Sequence, residues 1–387
     1  MEYNFDEIVI HARTGLNPRK NFILGKGNNR YITIKNIKNN SLVIDDNTDF
    51  IDDEAVDMIH KRSQIKKGDI LFASIGRFGD TYIIEEEPTG WDINESVFAF
   101  TVNEKLIRQK YFHYLFKHKE TIRQLTKNSS GSTFKSIKMN QLKKMRFNLP
   151  DLNSQDIIVS LLDCVTNIIS IYEQELLLLD ELVKARFVEM FGDPNYNPKG
   201  YKKDIIKDHI DLLSGYPFKS ENYVDSGINI CGGLVIMPQK IKWEECVHWK
   251  SAIGYENYLL NNNDIVMALD RPWISEGFKI AKVDSKHLPA LLIQRTVRIR
   301  SIDMNQDYLY YCFICGGFNK HCNVTGSLVP HISSKDIKSF EVMLPPLELQ
   351  NQFASFVQEI DKSRSRIQKS LEASQELFDS LMQEYFG

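Results

Sequence analysis

Ala185-Arg186-Phe187-Val188-Glu189-Met190-Phe191-Gly192 closes a unit that this chain of 387 residues writes a second time. Glu189, Phe191 and Gly192 fall on Glu384, Phe386 and Gly387 when the sequence is slid on itself by 195 positions. Working backwards in that register, Leu182 falls on Leu377, Leu176 on Leu371 and Gln155 on Gln350. Leu152 falls on Leu347, Leu149-Pro150 on Leu344-Pro345, Ile137 on Ile332 and Gly131-Ser132 on Gly326-Ser327. The register holds without a gap back to Asp69-Ile70 on Asp264-Ile265 and Ala73 on Ala268, and Thr14-Gly15 then resembles Ser214-Gly215 at an offset of 200. A repeat this long is not a solenoid unit, which runs about 20–50 residues. It is a duplicated domain pair, each copy a mixed segment, then Leu-Pro, then a helical segment.

The helical segment carries a seam. Ile158, Leu162, Val165, Ile169, Tyr172, Leu176, Leu179 and Val183 alternate steps of four and three, the spacing of a coiled-coil heptad. Arg186 interrupts and Met190 resumes. The second copy keeps the period at Phe353, Val357, Ile360, Ile367, Leu371, Phe378, Leu381 and Tyr385, with Arg364 and Ser374 as its polar positions. Asn153 or Ser154 is the expected cap, and Gly192 with Pro194 the stop. A helix of about 35 residues would be roughly 50 Å long. Two such helices related by a pseudo-twofold axis must run antiparallel, which puts the mixed segments at opposite ends of a spacer. The expected fold is therefore α+β: two mixed α/β domains in tandem, joined by two long antiparallel helices forming a coiled-coil spacer. The expected boundaries are 1–150, 151–192, 193–345 and 346–387.

With 42% hydrophobic and 26% charged residues the composition is that of a globular chain, not a disordered or fibrous one. No uninterrupted apolar run reaches the roughly 18–20 residues of a membrane span. The start is acidic, unlike a secretion signal, and six cysteines are too few for a disulfide scaffold, so a cytoplasmic protein is expected. The formal net charge of −3 conceals a segregation. Residues 1–150 carry 24 basic and 19 acidic residues, and 193–345 carry 18 and 17. The helical segments carry 2 and 8, then 4 and 7. Residues 8–44 hold seven basic residues and no acid, and 105–150 hold twelve against Glu120. Aromatic residues interleave with these stripes, the footprint of a phosphate-backbone binder.

The motifs of chemistry are not assembled. Asp193-Pro194-Asn195-Tyr196 superficially resembles an amino-methyltransferase signature, but no Phe-x-Gly-x-Gly accompanies it and it sits in a helix-stopping turn. There is no phosphate loop for a motor ATPase, and Pro150-Asp151 lacks the (Asp/Glu)-x-Lys that a nuclease needs. Cys312, Cys315, His321, Cys322 and His331 can be drawn as zinc ligands. Cys312 and Cys315, however, lie in an apolar run, and the first copy has no cysteine there, so no metal is expected.

Taken together, several stretches resemble the specificity subunit of type I restriction-modification systems, over the whole chain. Ala185–Pro194 followed by Asn197-Pro198-Lys199-Gly200-Tyr201 is similar to that family's central junction. Leu344-Pro345-Pro346-Leu347-Glu348-Leu349-Gln350 resembles the start of its helices, with a degenerate first copy. Asp264-Ile265-Val266-Met267-Ala268, Asp270-Arg271-Pro272-Trp273-Ile274 and Leu292-Ile293-Gln294-Arg295 resemble a recurrent class of target recognition domain. The resemblance implies a chain without catalysis of its own, each mixed segment reading half of a bipartite double-stranded DNA site. It implies two methyltransferase subunits docked on the helices, methylating adenine N6 with S-adenosylmethionine. It also implies a restriction and translocation subunit that uses ATP and Mg. No cofactor is expected in this chain.

Candidate DNA contacts in the first domain are Arg13, Arg30, Lys35, Asn36, Arg77 and Phe78 of a glycine-bracketed loop, and Ser130, Ser132 and Lys135. In the second they are Lys219, Arg271, Trp273, Ser327 and His331. Basic residues suit phosphates, and polar side chains suit base edges. The alternative is a coiled-coil scaffold that holds other proteins without reading DNA.

Overall fold

The computed structural model describes residues 1–38, 41–76, 79–127, 136–322 and 331–387. The chain divides into two compact units, Met1–Glu173 with Lys369–Gly387, and Gln174–Gln368. The division cuts through both long helices instead of falling at their ends. The reason is packing: each half-helix is buried against the mixed segment of its own unit.

In the first unit Val9–Thr14 (β1), Ile70–Ala73 (β2), Thr81–Ile83 (β3) and Val97–Val102 (β4) form an antiparallel sheet of order β1-β4-β2-β3. The strands alternate with period two between two buried faces. Phe98 and Phe100 enter one core with Ile70 and Phe72, while Val97 and Ala99 enter another with Leu71. A smaller sheet pairs Asn29–Ile32 parallel to Trp91–Ile93 and antiparallel to Phe50–Ile51. Glu2–Asn4 pairs with Arg146–Asn148 just before the helix.

The second unit repeats this plan. Ile210–Ser214 (β5), Ile265–Ala268 (β6), Ile280–Lys282 (β7) and Thr296–Ser301 (β8) take the order β5-β8-β6-β7. Ile228–Cys231 runs parallel to Ala290–Leu292 and antiparallel to Val247–Trp249. Lys203–Ile205 pairs with Glu341–Met343, the strand that lies 195 residues beyond Arg146–Asn148.

Three pairs of equivalent residues explain why the repeat survives divergence. A Cβ on Gly15 would lie 1.6 Å from the Ile93 carbonyl oxygen, and one on Gly215 2.0 Å from that of Ile293, so only glycine fits. The buried carboxylates of Asp69 and Asp264 accept the amides of Lys66 (3.0 Å) and Asn261 (2.7 Å). Their cations differ: Asp69 pairs with Arg13 of β1 at 2.7 Å, Asp264 with Arg300 of β8 at 2.5 Å. Buried Gln155 accepts from the Arg108 amide and donates to the Leu106 and Pro150 carbonyls. Gln350 likewise accepts from the Asn305 amide and donates to the Pro345 carbonyl.

Helices α1 (Leu152–Phe191) and α2 (Leu347–Phe386) have 40 residues each, about 60 Å, longer than the seam alone suggested. The cap of α1 is Asp151, whose Oδ1 accepts the Ser154 amide at 3.0 Å; the expected Asn153 and Ser154 lie inside the first turn. That bond and one from the Ser154 hydroxyl hold the Asp151 carboxyl below its usual value. Gly192 ends α1 with φ +81°, and Lys199 Nζ donates to the carbonyls of Glu189 and Met190. Every seam position of α1 and α2 is buried or half-buried. In the first unit Ile158 and Leu162 share a core with Met382, Phe378 and Leu381. In the second, Val183, Phe187 and Phe191 share one with Phe353 and Val357. The start of α1 thus meets the end of α2 in one unit and the reverse in the other, so the paired segments run in opposite directions. The polar interruptions have partners: Arg364 pairs with Asp180 at 2.6 Å, and Arg186 lies over the Phe356 ring.

Helix α1 is long and apolar enough, by length and composition, to cross a membrane. Asp163 and Glu173 interrupt its apolar run while the average stays apolar. In the structure its seam is packed on protein, and Asp163 takes the Lys110 ammonium at 2.5 Å and the Tyr114 hydroxyl at 2.7 Å.

Candidate nucleic-acid interface

Cations gather in the second unit around a cleft of about 980 Å³. Its residues come from segments distant in sequence: the Gly232-Gly233 turn, Asp270-Arg271 after β6, Lys279 before β7, Gln294-Arg295 before β8, and His331. An isolated antiparallel bridge between Asp270 and His331 brings the last of these in. Asp270 holds the wall together, with one oxygen 2.7 Å from His331 Nδ1 and the other accepting from Arg295 at 3.1 Å. Arg295 nevertheless keeps three quarters of its side chain exposed.

Lys279 is buried, and its ammonium donates to the Gly233 carbonyl. Burial, and then the charge of Arg271, push its amine below the ordinary lysine value. Arg271 has a left-handed backbone with φ +45°, and its counterpart 195 residues earlier, Gly76, has φ +78°. The second copy therefore puts an arginine where the turn favours glycine, at a cost of order 1–2 kcal/mol. Such strain is characteristic of functional positions. Lys279, Arg271 and Arg295 face Asp270 and Glu245, and Glu245 is itself paired with Lys242 at 2.6 Å. The cleft is thus lined by three lysine and arginine side chains against two carboxylates.

Of the expected contacts in this unit, Arg271 and His331 meet in the cleft. Trp273 does not: it stacks on Phe278 at 5.0 Å against the main core and lines a separate pocket. Lys219 is exposed beside Glu221, and Ser327 lies outside the described residues. Lys279 and Arg295, which also line the cleft, were not among the expected contacts. Arg295 ends a stretch quoted above, but its side chain could not be assigned to a cleft formed by five separate segments.

In the first unit two expected contacts are corrected. Arg13 is engaged internally, donating to Asp69, Thr101 and the Gln64 carbonyl. Asn36 is buried and closes its own turn through Thr33, Val43 and Thr48. Arg30 lies 3.9 Å over the Phe50 ring, while Lys35 is exposed at the turn tip. Arg77, Phe78, Ser130, Ser132 and Lys135 lie outside the described residues. Arg19, Lys20 and Lys26, not singled out above, line a pocket of about 300 Å³ with Asp52 and Glu54.

Among the described residues no group of three His, Cys, Asp or Glu is placed to hold a metal. Cys312 is buried, and burial raises its thiol well above the ordinary value. On helix α1 apolar side chains are exposed in each unit, Ile157, Leu161, Ile168 and Ile171 in the first and Leu177, Leu178 and Leu182 in the second.

Residues 3–180 and 204–375 match the family model of the type I restriction modification DNA specificity domain, once per repeat. The specificity subunit of the type I restriction enzyme MjaVIII from Methanocaldococcus jannaschii is 24% identical over 291 residues, 69% of this chain and 68% of that one. That of EcoAI from Escherichia coli is 29% identical over 179 residues, 44% of this chain and 30% of that one. Among solved structures, the S subunit of a type I restriction-modification system from M. genitalium aligns with a TM-score of 0.55 at 13% identity. That alignment covers 100% of this chain and 96% of the other. A chain from work on complex assembly and conformational transition of the type I system aligns at 0.53 and 14%, covering 100% and 97%. At these identities the structural likeness concerns the fold.

Proposed function

The chain belongs to the type I restriction-modification DNA specificity family, and from that membership we propose that each of its units reads one half of a bipartite double-stranded DNA site. The observation that carries this reading is the repetition of one fold with a diverged surface: equivalent sheets and turns, but Arg271 in one copy where Gly76 stands in the other. Two readers of common architecture and different side chains suit a target whose halves differ. Cations such as Arg271 and Arg295 contact phosphates and set register, while neighbouring side chains read base edges.

Helices α1 and α2 set the gap between the half-sites. The exposed apolar side chains of α1 dock two methyltransferase subunits, a patch of the kind that marks a protein interface. Adenine N6 methylation then takes place in those partners, which hold S-adenosylmethionine. ATP- and Mg-dependent restriction belongs to a further subunit, and the assembly works in the cytoplasm.

Genome-wide mapping of methyladenine with and without the gene tests the reading, and the expected result is loss of one bipartite motif. A gap-length test follows. Four residues inserted near Ile169 lengthen α1 by roughly 6 Å, and the variant complex is expected to methylate sites with a longer gap. Methylation of an unchanged motif by a folded, active variant would refute the spacer role. Affinity for the mapped duplex is expected to fall steeply with salt; salt-insensitive assembly without DNA binding supports the scaffold alternative.

A further inference from the structure

One turn has the same backbone hydrogen bonds in the two units, although its residues differ, buried Asn36 of the first standing where buried Val235 stands in the second. In the first unit the Asn36 amide donates to the Thr33 carbonyl at 3.0 Å and the Val43 amide to the Asn36 carbonyl at 2.7 Å. In the second, the Val235 amide donates to Gly232 at 3.1 Å and the Lys242 amide to Val235 at 2.9 Å. Ile37 pairs with Leu42, and Ile236 with Ile241. Burial along the two turns follows the same order, and both tips are exposed. The tip is Lys35 in the first unit and Leu234 in the second.

Leu234 is 90% exposed, the highest value among the exposed large apolar side chains described. It touches too little to stabilise the fold. It lines the cleft, next in sequence to Gly233 whose carbonyl holds Lys279, and Arg271 and Arg295 line the same cleft. An apolar tip flanked by cations matches the cross-section of a DNA groove, with phosphates at the edges and base features between.

We infer that Leu234 is a specificity-determining residue of the second unit, which enters the major groove and packs against the C5-methyl of a thymine. Lys35 is its counterpart in the first unit, where an ammonium suits the O6 and N7 acceptors of guanine. One turn with two tips then contributes to two different half-sites. The assignment rests on the DNA reading proposed above.

The test uses the complete complex with its methyltransferase subunits and duplexes carrying the mapped site. Each thymine is replaced in turn by uracil, which removes only the methyl group. The wild-type complex is expected to bind about fourfold more weakly at one position, the equivalent of about 0.8 kcal/mol for one buried methyl. Leu234→Ala is expected to abolish that uracil effect while keeping the salt dependence, and Leu234→Lys to change the preferred base at the same position. The substitutions are at an exposed tip, and hydrogen exchange checks that the unit stays folded. Uracil tolerated at every position by the wild-type complex overturns the inference, as does a thymine-methyl preference unaltered in Leu234→Ala; in both cases intact bipartite binding leaves the DNA reading standing. Failure of the wild-type complex to bind any bipartite duplex overturns both.

Discussion

Replacing Gln350 by leucine keeps the volume of a buried side chain and removes its polar end. Gln350 is 3% exposed, and its amide group joins the Asn305 N–H (2.9 Å) to the Pro345 carbonyl (2.8 Å). It therefore ties the start of α2 to the N-cap of the helix Gln306–Cys315. Leucine leaves both groups without that partner, and an unsatisfied buried polar group costs about 1–3 kcal/mol. The expected destabilisation of the second unit is about 2–6 kcal/mol. With a urea dependence of about 2 kcal/mol/M this moves the midpoint down by about 1–3 M. Gln155 is the internal control in the first unit, where three bonds are lost and the effect is expected to be larger. Urea titration read by hydrogen-exchange mass spectrometry separates the units. The affected amides should be those of Gln306–Cys315 for Gln350→Leu and of Gln109–Leu115 for Gln155→Leu. A loss below about 0.5 kcal/mol at both sites, or loss of protection in the wrong unit, would refute this account of the helix junctions.

Arg271→Gly is expected to stabilise the second unit by about 1 kcal/mol through relief of its left-handed backbone, while lowering the slope of DNA affinity against salt by about one ion; thermal melting and salt titrations measure both. His113 is half-buried against Thr81, and burial first, then Lys117, lowers its ring pKa to about 3. The unfolded chain, near pH 6.5, therefore binds the proton first as pH falls. The contribution is full above pH 6.5 and is lost on acidification towards pH 3, with a slope below about 1.4 kcal/mol per pH unit because the ring keeps some solvent contact. His113→Gln is expected to flatten that part of the stability–pH curve of the first unit, and an unchanged curve would contradict it.

The duplication and the seam were legible because both are periodic. The 195-residue register aligns Asp69 with Asp264 and Gln155 with Gln350, and those residues have the same polar roles in both copies. The heptad positions came out buried or half-buried along both helices. The residues of the candidate interface were less legible, because exposure of a cation depends on its neighbours in space. Arg13 and Arg271 look alike in sequence, yet Arg13 is bound to Asp69 and Thr101 while Arg271 lines a cleft. Trp273 resembled a surface reader and is instead stacked on Phe278. The cap also moved, from Asn153 or Ser154 to Asp151, since the helix already begins at Leu152 and Asp151 accepts the Ser154 amide.

From sequence alone, then, came what repeats along one dimension: two tandem units, a seam of alternating fours and threes, and acidic helices beside more basic mixed segments. These follow from chain register and helix period, which need no knowledge of distant contacts. Tertiary structure alone decided which charges cancel and which remain for a ligand. Asp264 takes Arg300 in one copy while Asp69 takes Arg13 from a different strand in the other, so the same carboxylate is neutralised by a different cation each time. The cleft of Lys279, Arg271 and Arg295, with Leu234 at its wall, is assembled from segments up to about a hundred residues apart, and the long-range pairing of the sheets creates it.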